Sequence, residues 1–379
     1  MSKENITKGL RTWVEVDKKA VADNISAFRG LVGGSTKIMA VAKSNAYGHG
    51  LVDFSLFAQE QKADWIGVDS IVEAKALRRD GIKLPILVLG YTLPERMAEA
   101  GVEDISMTVA TLQQFQNAIL AGQGKQLKIH IKVDTGMHRQ GFLPEDKDAI
   151  VTLIKKNRYT VALEGLYTHF ASAKNPAFPD SVKEQIACFE EWKTRFEREG
   201  FKFISHAAAT AGAIVFPQAH YDMVRIGVGL YGLWPSKEIR RAFREKIPLK
   251  PSLSWKTILT EIKKLPAGSK IGYDGAETLS KDGIVGICPI GYWHGYPRAM
   301  SSIGAVAVEG VECRVLGRVS MDMISVDLSG VLKAKEGDEV SILEAGNENL
   351  DAYAVASLCD TSHYEIIARI NPLIKRVYR

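Results

Sequence analysis

Short apolar runs recur along the first two-thirds of the chain, divided by longer stretches in which apolar residues return with helical spacing. The runs are KIMAVAK (37–43), WIGVDS (65–70), ILVLG (86–90), ISMTV (105–109), KIHIKVDTG (128–136), LEGLYTHF (163–170), FISHAAAT (203–210) and MVRIGVGLYG (223–232). Most have the length and near-continuous hydrophobicity of a strand covered on both faces, and KIHIKVDTG alternates instead. Between most of them lie amphipathic segments such as LVDFSLFAQEQKA and SVKEQIACFEEWKTRFEREG. Eight strands alternating with helices predict an α/β fold, a (β/α)8 TIM barrel. A doubly wound open sheet is the competing architecture; the count of eight favours the barrel.

Past residue 245 the texture changes. SWKTILTEIKKL, GIVGICPIGYW, AVAVEGVECRVLGRV, MISVDLSG and DEVSILEA are short and β-rich, with turn signals such as PAGS, YDG and EG between them. No long helical pattern returns before LDAYAVASLCDT. This predicts a mostly β C-terminal domain over 245–379 after a barrel over 1–244, with the boundary in the charged stretch 235–251. The early TWVEVD is strand-like but stands outside the eight, open to pairing with the C-terminal domain instead.

Composition changes this picture little. A chain of 379 residues exceeds what one core usually holds, in keeping with two domains. The net charge of +5 comes with no dense Lys/Arg arm, which argues against nucleic acid as a partner. Cys188, Cys288, Cys313 and Cys359 form no Cys-x-x-Cys pair and no zinc spacing, so free thiols in a reducing cytoplasm and no metal are expected. The N-terminal MSKENITKGLRTWVEVD has no apolar leader core, and no run is long enough to cross a membrane.

The chemistry starts at VAKSNAYGHG (41–50). Lys43 ends the first predicted barrel strand, and barrel enzymes place their reactive groups at such ends. Desolvation there favours the neutral amine, a nucleophile able to form a Schiff base. Position alone favours a solvated lysine after a strand, because barrel strand ends are many and catalytic lysines few. The motif Lys43-x3-Tyr47-Gly48-His49-Gly50 resembles the pyridoxal-phosphate lysine motif of the alanine racemase family, and the resemblance continues at intervals through nearly the whole chain.

That resemblance implies a racemase using pyridoxal 5'-phosphate, held covalently by Lys43, with Tyr47 contacting its phosphate. Thr210 in HAAAT, the backbone amides of Gly227 and Val228 in RIGVG, and Tyr364 in HYEIIARI would complete the phosphate site. Taken alone, the glycines fit a tight barrel turn. Arg225 matches the family's arginine at the pyridine nitrogen, His206 the residue that orients it, and His169 one that stacks near the ring. An arginine cannot accept the ring proton, so it leaves the nitrogen largely unprotonated, which suits brief proton removal and return. His206 alone reads equally as a satisfied core histidine.

In KIHIKVDTGMHRQG, Lys128, His130, Lys132 and Asp134 share one face by period two, the barrel interior. The resemblance implies that Lys132 is carbamylated and holds Arg139, which contacts the substrate carboxylate. An ion-pair network around Asp134 is the competing account of Lys132. Racemisation needs bases on both faces of Cα. The resemblance makes these Lys43 and Tyr273, with Tyr292, Met321 and Asp322 lining the substrate pocket from the second subunit of a homodimer. Trp293-His294 in place of Ala-Asp, Ala209-Thr210 in place of Asn-Ser, and Asp274 after the tyrosine base depart from the family pattern.

The expected reaction is interconversion of L- and D-alanine, supplying D-alanine for peptidoglycan. A racemase of serine or another small amino acid, a related-fold amino-acid decarboxylase, and a non-catalytic pyridoxal-phosphate-binding protein are the alternatives. The decarboxylases pair the ring nitrogen with a glutamate, where this chain has Arg225. The non-catalytic proteins lack a β domain.

Overall fold

The structure, a computed structural model, describes residues 7–175 and 177–379. The reading of the N-terminus as leader-free falls partly on residues 1–6, outside the described residues. Two compact units are present. One comprises Val21–Ala46 and Leu51–Leu249; the other comprises residues up to Ala20, Tyr47–Gly50 and Lys250–Arg379.

Nine strands lead the chain: β1 (Thr12–Val16), β2 (Lys37–Val41), β3 (Trp65–Val68), β4 (Ile86–Val88), β5 (Ser106–Val109), β6 (Leu127–Lys132), β7 (Val161–Tyr167), β8 (Ile204–His206) and β9 (Met223–Ile226). From β2 to β8 each strand pairs in parallel with the next. β9 pairs in parallel with β2, and on its other side the Arg225 N–H donates to the Ala208 carbonyl at 2.9 Å. An isolated parallel bridge from Ala209 to Arg225 completes the ring. The eight short runs are thus the eight staves of a (β/α)8 barrel, and the open doubly wound sheet is ruled out. Strands β2 to β5 are buried except at Lys37, as expected where helices cover one face and a packed interior the other.

Side chains from non-adjacent strands meet inside the barrel. Thr108 of β5 bonds Tyr167 of β7 at 2.8 Å, and the Trp65 ring of β3 stands edge-on to His130 of β6 at 5.3 Å. Such pairs cannot form across the outer face, where helices intervene. The period-two face of β6 therefore does point inward, with Lys128 at the start of the strand, His130 in the middle and Lys132 at its end.

In the second unit β1 pairs antiparallel with Leu253–Ile258 and in parallel with Lys375–Tyr378, within a nine-stranded sheet. Ala305–Val308 and Val311–Leu316 form a hairpin whose two loop residues, Glu309 and Gly310, both have positive φ, the pairing a tight hairpin turn demands. The charged stretch after the barrel contains a short helix, Lys237–Phe243, capped by Ser236.

Candidate functional site

Lys43 does not lie on a strand. β2 ends at Val41, and beyond Lys43 the chain turns left-handed: Ser44, Asn45, Ala46 and Tyr47 have φ of 56°, 56°, 50° and 51°. None of the four is glycine, so the turn is held by its surroundings rather than by local preference. Glu73 Oε1 accepts from the Ser44 N–H at 2.8 Å, and Asn45 Oδ1 from the Leu51 N–H at 2.9 Å. This fixed left-handed turn, rather than a strand end, aims the lysine.

The barrel site is rich in cations. Lys132 is buried and donates to Gln140 Oε1 at 2.9 Å; its ammonium sits 5.6 Å from the Tyr167 ring centre. Burial, then Arg139 and Arg225, and more weakly Lys43, push its pKa down to about 8 against the opposing pull of Asp134. Among the described residues Lys132 makes no ion pair with Asp134, whose charged neighbour is the His138 imidazole at 4.0 Å. Asp134 Oδ1 accepts the backbone N–H groups of Gly136, Met137 and His138 at 2.9–3.0 Å, building the loop that carries Arg139. Arg139 itself is exposed. The same four cations act on His169, whose pKa falls to about 3, mainly through burial and Arg225, so it is neutral.

Arg225 is buried, and both terminal nitrogens of its guanidinium are engaged. Its guanidinium donates to the carbonyls of Thr168 at 2.7 Å, Ala207 at 2.9 Å and His206 at 3.1 Å, and to Nδ1 of His206 at 2.9 Å and of His169 at 3.2 Å. It also stands 5.2 Å from the Tyr167 ring centre. Among the described residues no carboxylate touches it. Burial lowers its pKa to about 10, well above neutrality, so it remains a cation.

Thr210 is not on a strand end but opens the helix Thr210–Val215. Its hydroxyl oxygen accepts the N–H groups of Gly227 at 3.2 Å and Gly229 at 3.4 Å. The extra methyl of threonine is accommodated by the latter glycine, whose absent Cβ would lie 2.8 Å from Thr210 Cγ2 and 2.5 Å from the Phe28 ring. Val228 begins the 3-10 turn Val228–Tyr231, so β9 and the amide-bearing turn adjoin.

The second unit carries the other candidates. Tyr47 and Tyr364 lie with ring centres 6.1 Å apart, and burial raises the Tyr47 pKa to about 12. Three loops pack together at one rim. The Tyr292 and Trp293 N–H groups donate to the carbonyls of Ser320 and Met321 at 3.1 and 3.0 Å, and Arg318 pairs with Asp274 beside Tyr273. Only glycine fits at 291, where a Cβ would lie 2.2 Å from the Ser320 oxygen. Tyr273 is 69% exposed, Met321 53% and Tyr292 43%, and Asp322 is exposed too. The departures resolve locally: buried His294 accepts the Gly291 N–H at Nδ1 at 3.2 Å and shapes the Tyr292 loop, while Asp274 anchors the Tyr273 loop to Arg318.

Sequence reasoning missed Tyr167, Gln140 and Glu164. Tyr167 stacks on His206 with centres 4.6 Å apart and planes within 6°, underneath Arg225. A tyrosine inside a barrel strand two residues before His169 was the available signal. Among the described residues no three His, Cys, Asp or Glu side chains stand close enough to hold a metal, and no helix is long and apolar enough to cross a membrane.

Two family models match: "Alanine racemase, N-terminal domain" over residues 16–235 and "Alanine racemase, C-terminal domain" over 252–378. Among similar proteins, an alanine racemase of Desulforamulus reducens is 36% identical, covering 97% of this chain and 98% of the relative. One of Symbiobacterium thermophilum is 37% identical, with 98% of each covered. Among solved structures, an alanine racemase of Clostridium difficile 630 superposes with a TM-score of 0.92 at 31% identity, over 98% of this chain and 96% of that one. The alanine racemase of Bacillus anthracis with bound L-Ala-P gives 0.90 at 31% identity, over 97% and 95%.

Proposed function

The chain belongs to the alanine racemase family, and from that premise we propose that it interconverts L-alanine and D-alanine with pyridoxal 5'-phosphate as cofactor. The observation that carries the reading is the barrel's cation set. With Lys132 unmodified, Lys43, Lys132, Arg139 and Arg225 act on one neutral histidine, His169, while Asp134 Oδ1 accepts backbone amides; with Lys132 carbamylated, Arg139 and Arg225 would remain as the cations that draw an anion. Such a site favours anions, and both a phosphorylated cofactor and an amino-acid carboxylate are anionic. The Thr210 hydroxyl with the Val228 amide, and the Gly227 amide once a phosphate displaces its bond to Thr210, suit a phosphate, a duty assigned also to Tyr47 and Tyr364. Arg225, donor-only and anchored through its two terminal nitrogens, suits a ring nitrogen that is to stay unprotonated.

When bound, the cofactor draws electron density from Cα and makes its proton acidic. Lys43 would hold the cofactor, and its amine would remove or return the proton on one face. Tyr273 of the partner subunit does the same on the other face, so the proton lost on one side is replaced on the opposite side. Arg139 binds the substrate carboxylate, His169 stacks near the ring, and His206 holds Arg225. Tyr292, Met321 and Asp322 of the partner subunit close the pocket around a small side chain. Their exposure in this chain supports a homodimer that covers them. Four free thiols fit a cytoplasmic enzyme supplying D-alanine for peptidoglycan.

A chiral assay of the purified protein with added cofactor tests the reading across the common amino acids. Alanine should racemise fastest. Faster turnover of serine would reassign the substrate, release of carbon dioxide would indicate a decarboxylase, and a coloured but inert protein would indicate a binding role.

Lys132 is the proposed carbamylated lysine. Carbamate forms on a neutral amine, and a pKa of about 8 leaves roughly a tenth of the side chain neutral at pH 7, far more than an ordinary lysine offers. With 13C-bicarbonate, a carbamate resonance should appear and strengthen as pH rises from about 7 to 8, and Lys132→Met should abolish it. A wild-type spectrum without that resonance at saturating bicarbonate counts against the modification.

A further inference from the structure

Inside the barrel the contacts of His206 do not end at Arg225. His206 Nε2 lies 2.9 Å from His130 Nδ1, and His130 Nε2 lies 3.3 Å from Glu164 Oε2. Ser106 Oγ donates to the same carboxylate oxygen, and Lys128, paired with Asp104 at 2.7 Å, stands 4.0 Å from Oε1. Both imidazoles are completely buried, and Glu164 is partly exposed.

Donor chemistry gives this line a single direction. A guanidinium only donates, so Nδ1 of His206 must be an acceptor when Arg225 NH1 points at it from 2.9 Å. Neutral His206 then carries its proton on Nε2 and donates to His130 Nδ1. His130 in turn carries its proton on Nε2 and donates to Glu164, an ionised carboxylate that can only accept. Burial and the Arg225 charge hold His206 well below its usual pKa; burial also lowers that of His130, so both stay neutral. The space is provided by Gly165, where a Cβ would lie 2.1 Å from His130 Nδ1. The register slip between β6 and β7 at Ile129/His130 falls beside it.

We propose that Glu164 is a positioning residue for Arg225: through His130 and His206 it fixes the direction of a hydrogen-bond chain running from the outer end of the barrel interior to the guanidinium. With the carboxylate as terminal acceptor, every imidazole presents a lone pair toward Arg225. Without it, His130 can flip, His206 can take its proton on Nδ1, and an N–H would then face an N–H. The guanidinium would shift away from its place. The consequence for the cofactor rests on the functional reading above; the direction of the chain does not.

Imidazole 15N shifts of the cofactor-free protein read that direction. In wild type both His130 and His206 should be neutral and protonated on Nε2 at about pH 8. Glu164→Leu should give a mixture of tautomers at His206 and weaken cofactor binding about tenfold, as expected for losing a charge-assisted partner. Glu164→Gln, whose amide oxygen still accepts, should keep the wild-type tautomers and lose only two- to threefold, roughly the charge contribution alone. Wild-type shifts at His206 in the Leu variant with unchanged cofactor affinity would overturn the assignment. A wild-type His206 protonated on Nδ1, or on both nitrogens, would do so whether or not the variants fold. If wild type binds no cofactor, the functional reading falls, and the tautomers still decide the chain.

Discussion

Lys43→Ala should reduce racemisation in both directions by at least about a thousandfold, because it removes the cofactor's covalent anchor and one of two bases together. The protein should still fold, since the Lys43 side chain contributes none of the contacts that hold the left-handed turn. It should still bind cofactor weakly through Thr210, Arg225 and the turn after β9. Borohydride treatment followed by peptide mapping supplies a second measurement. In wild type the reduced cofactor should remain on the peptide containing Lys43, and in the variant on no peptide. The sharp competitor is Lys132, the buried lysine of the barrel site, whose lowered pKa makes it a fair nucleophile. Label on Lys132, or retained turnover in Lys43→Ala, would refute the assignment.

The second large effect concerns two copies of the chain. Lys43→Ala and Tyr273→Phe should each be nearly inactive alone, yet unfolding and reassembling them together should restore roughly a quarter of wild-type activity. Random pairing makes about half of the dimers mixed, and in a mixed dimer with shared sites one site carries both mutations and the other neither. If each site were built from a single chain, every site would carry one mutation and nothing would return. The physical motive is the exposure of Tyr273, Tyr292 and Met321 at one rim, where backbone bonds and the Arg318–Asp274 ion pair hold their three loops rather than burial. A mixture as inactive as its parents, with dimers verified by sizing, would exclude the shared site.

The eight barrel strands were legible because each is a short apolar run between helical stretches, and burial on both faces demands that pattern. The inward face of β6 was legible for the same reason: Lys128, His130 and Lys132 alternate with apolar residues. Strand ends were less so. KIMAVAK reads as one run, but pairing stops at Val41, and nothing in Ser-Asn-Ala-Tyr announces a left-handed turn. That conformation is imposed by partners distant in sequence, such as Glu73. HAAAT likewise reads as strand to its end, while its last residue opens a helix. Glu164 went unnoticed because a single acid in LEGLYTHF looks like a solvated edge. The adjacent Gly165 was the clue, since a glycine inside a barrel strand marks a side chain that needs its space.

The turn from Ser44 to Tyr47 also bears on which sequences this segment can accept as it drifts. Each non-glycine residue held left-handed costs roughly 1–2 kcal/mol relative to the right-handed form. Four in succession therefore filter substitutions by backbone before side-chain chemistry is tested. Asparagine, aspartate and glycine enter such positions readily, while valine, isoleucine and threonine are nearly barred. A change at Ser44, whose side chain is exposed, would thus be judged by the conformation it permits, and only through that by where it leaves the lysine one residue before it.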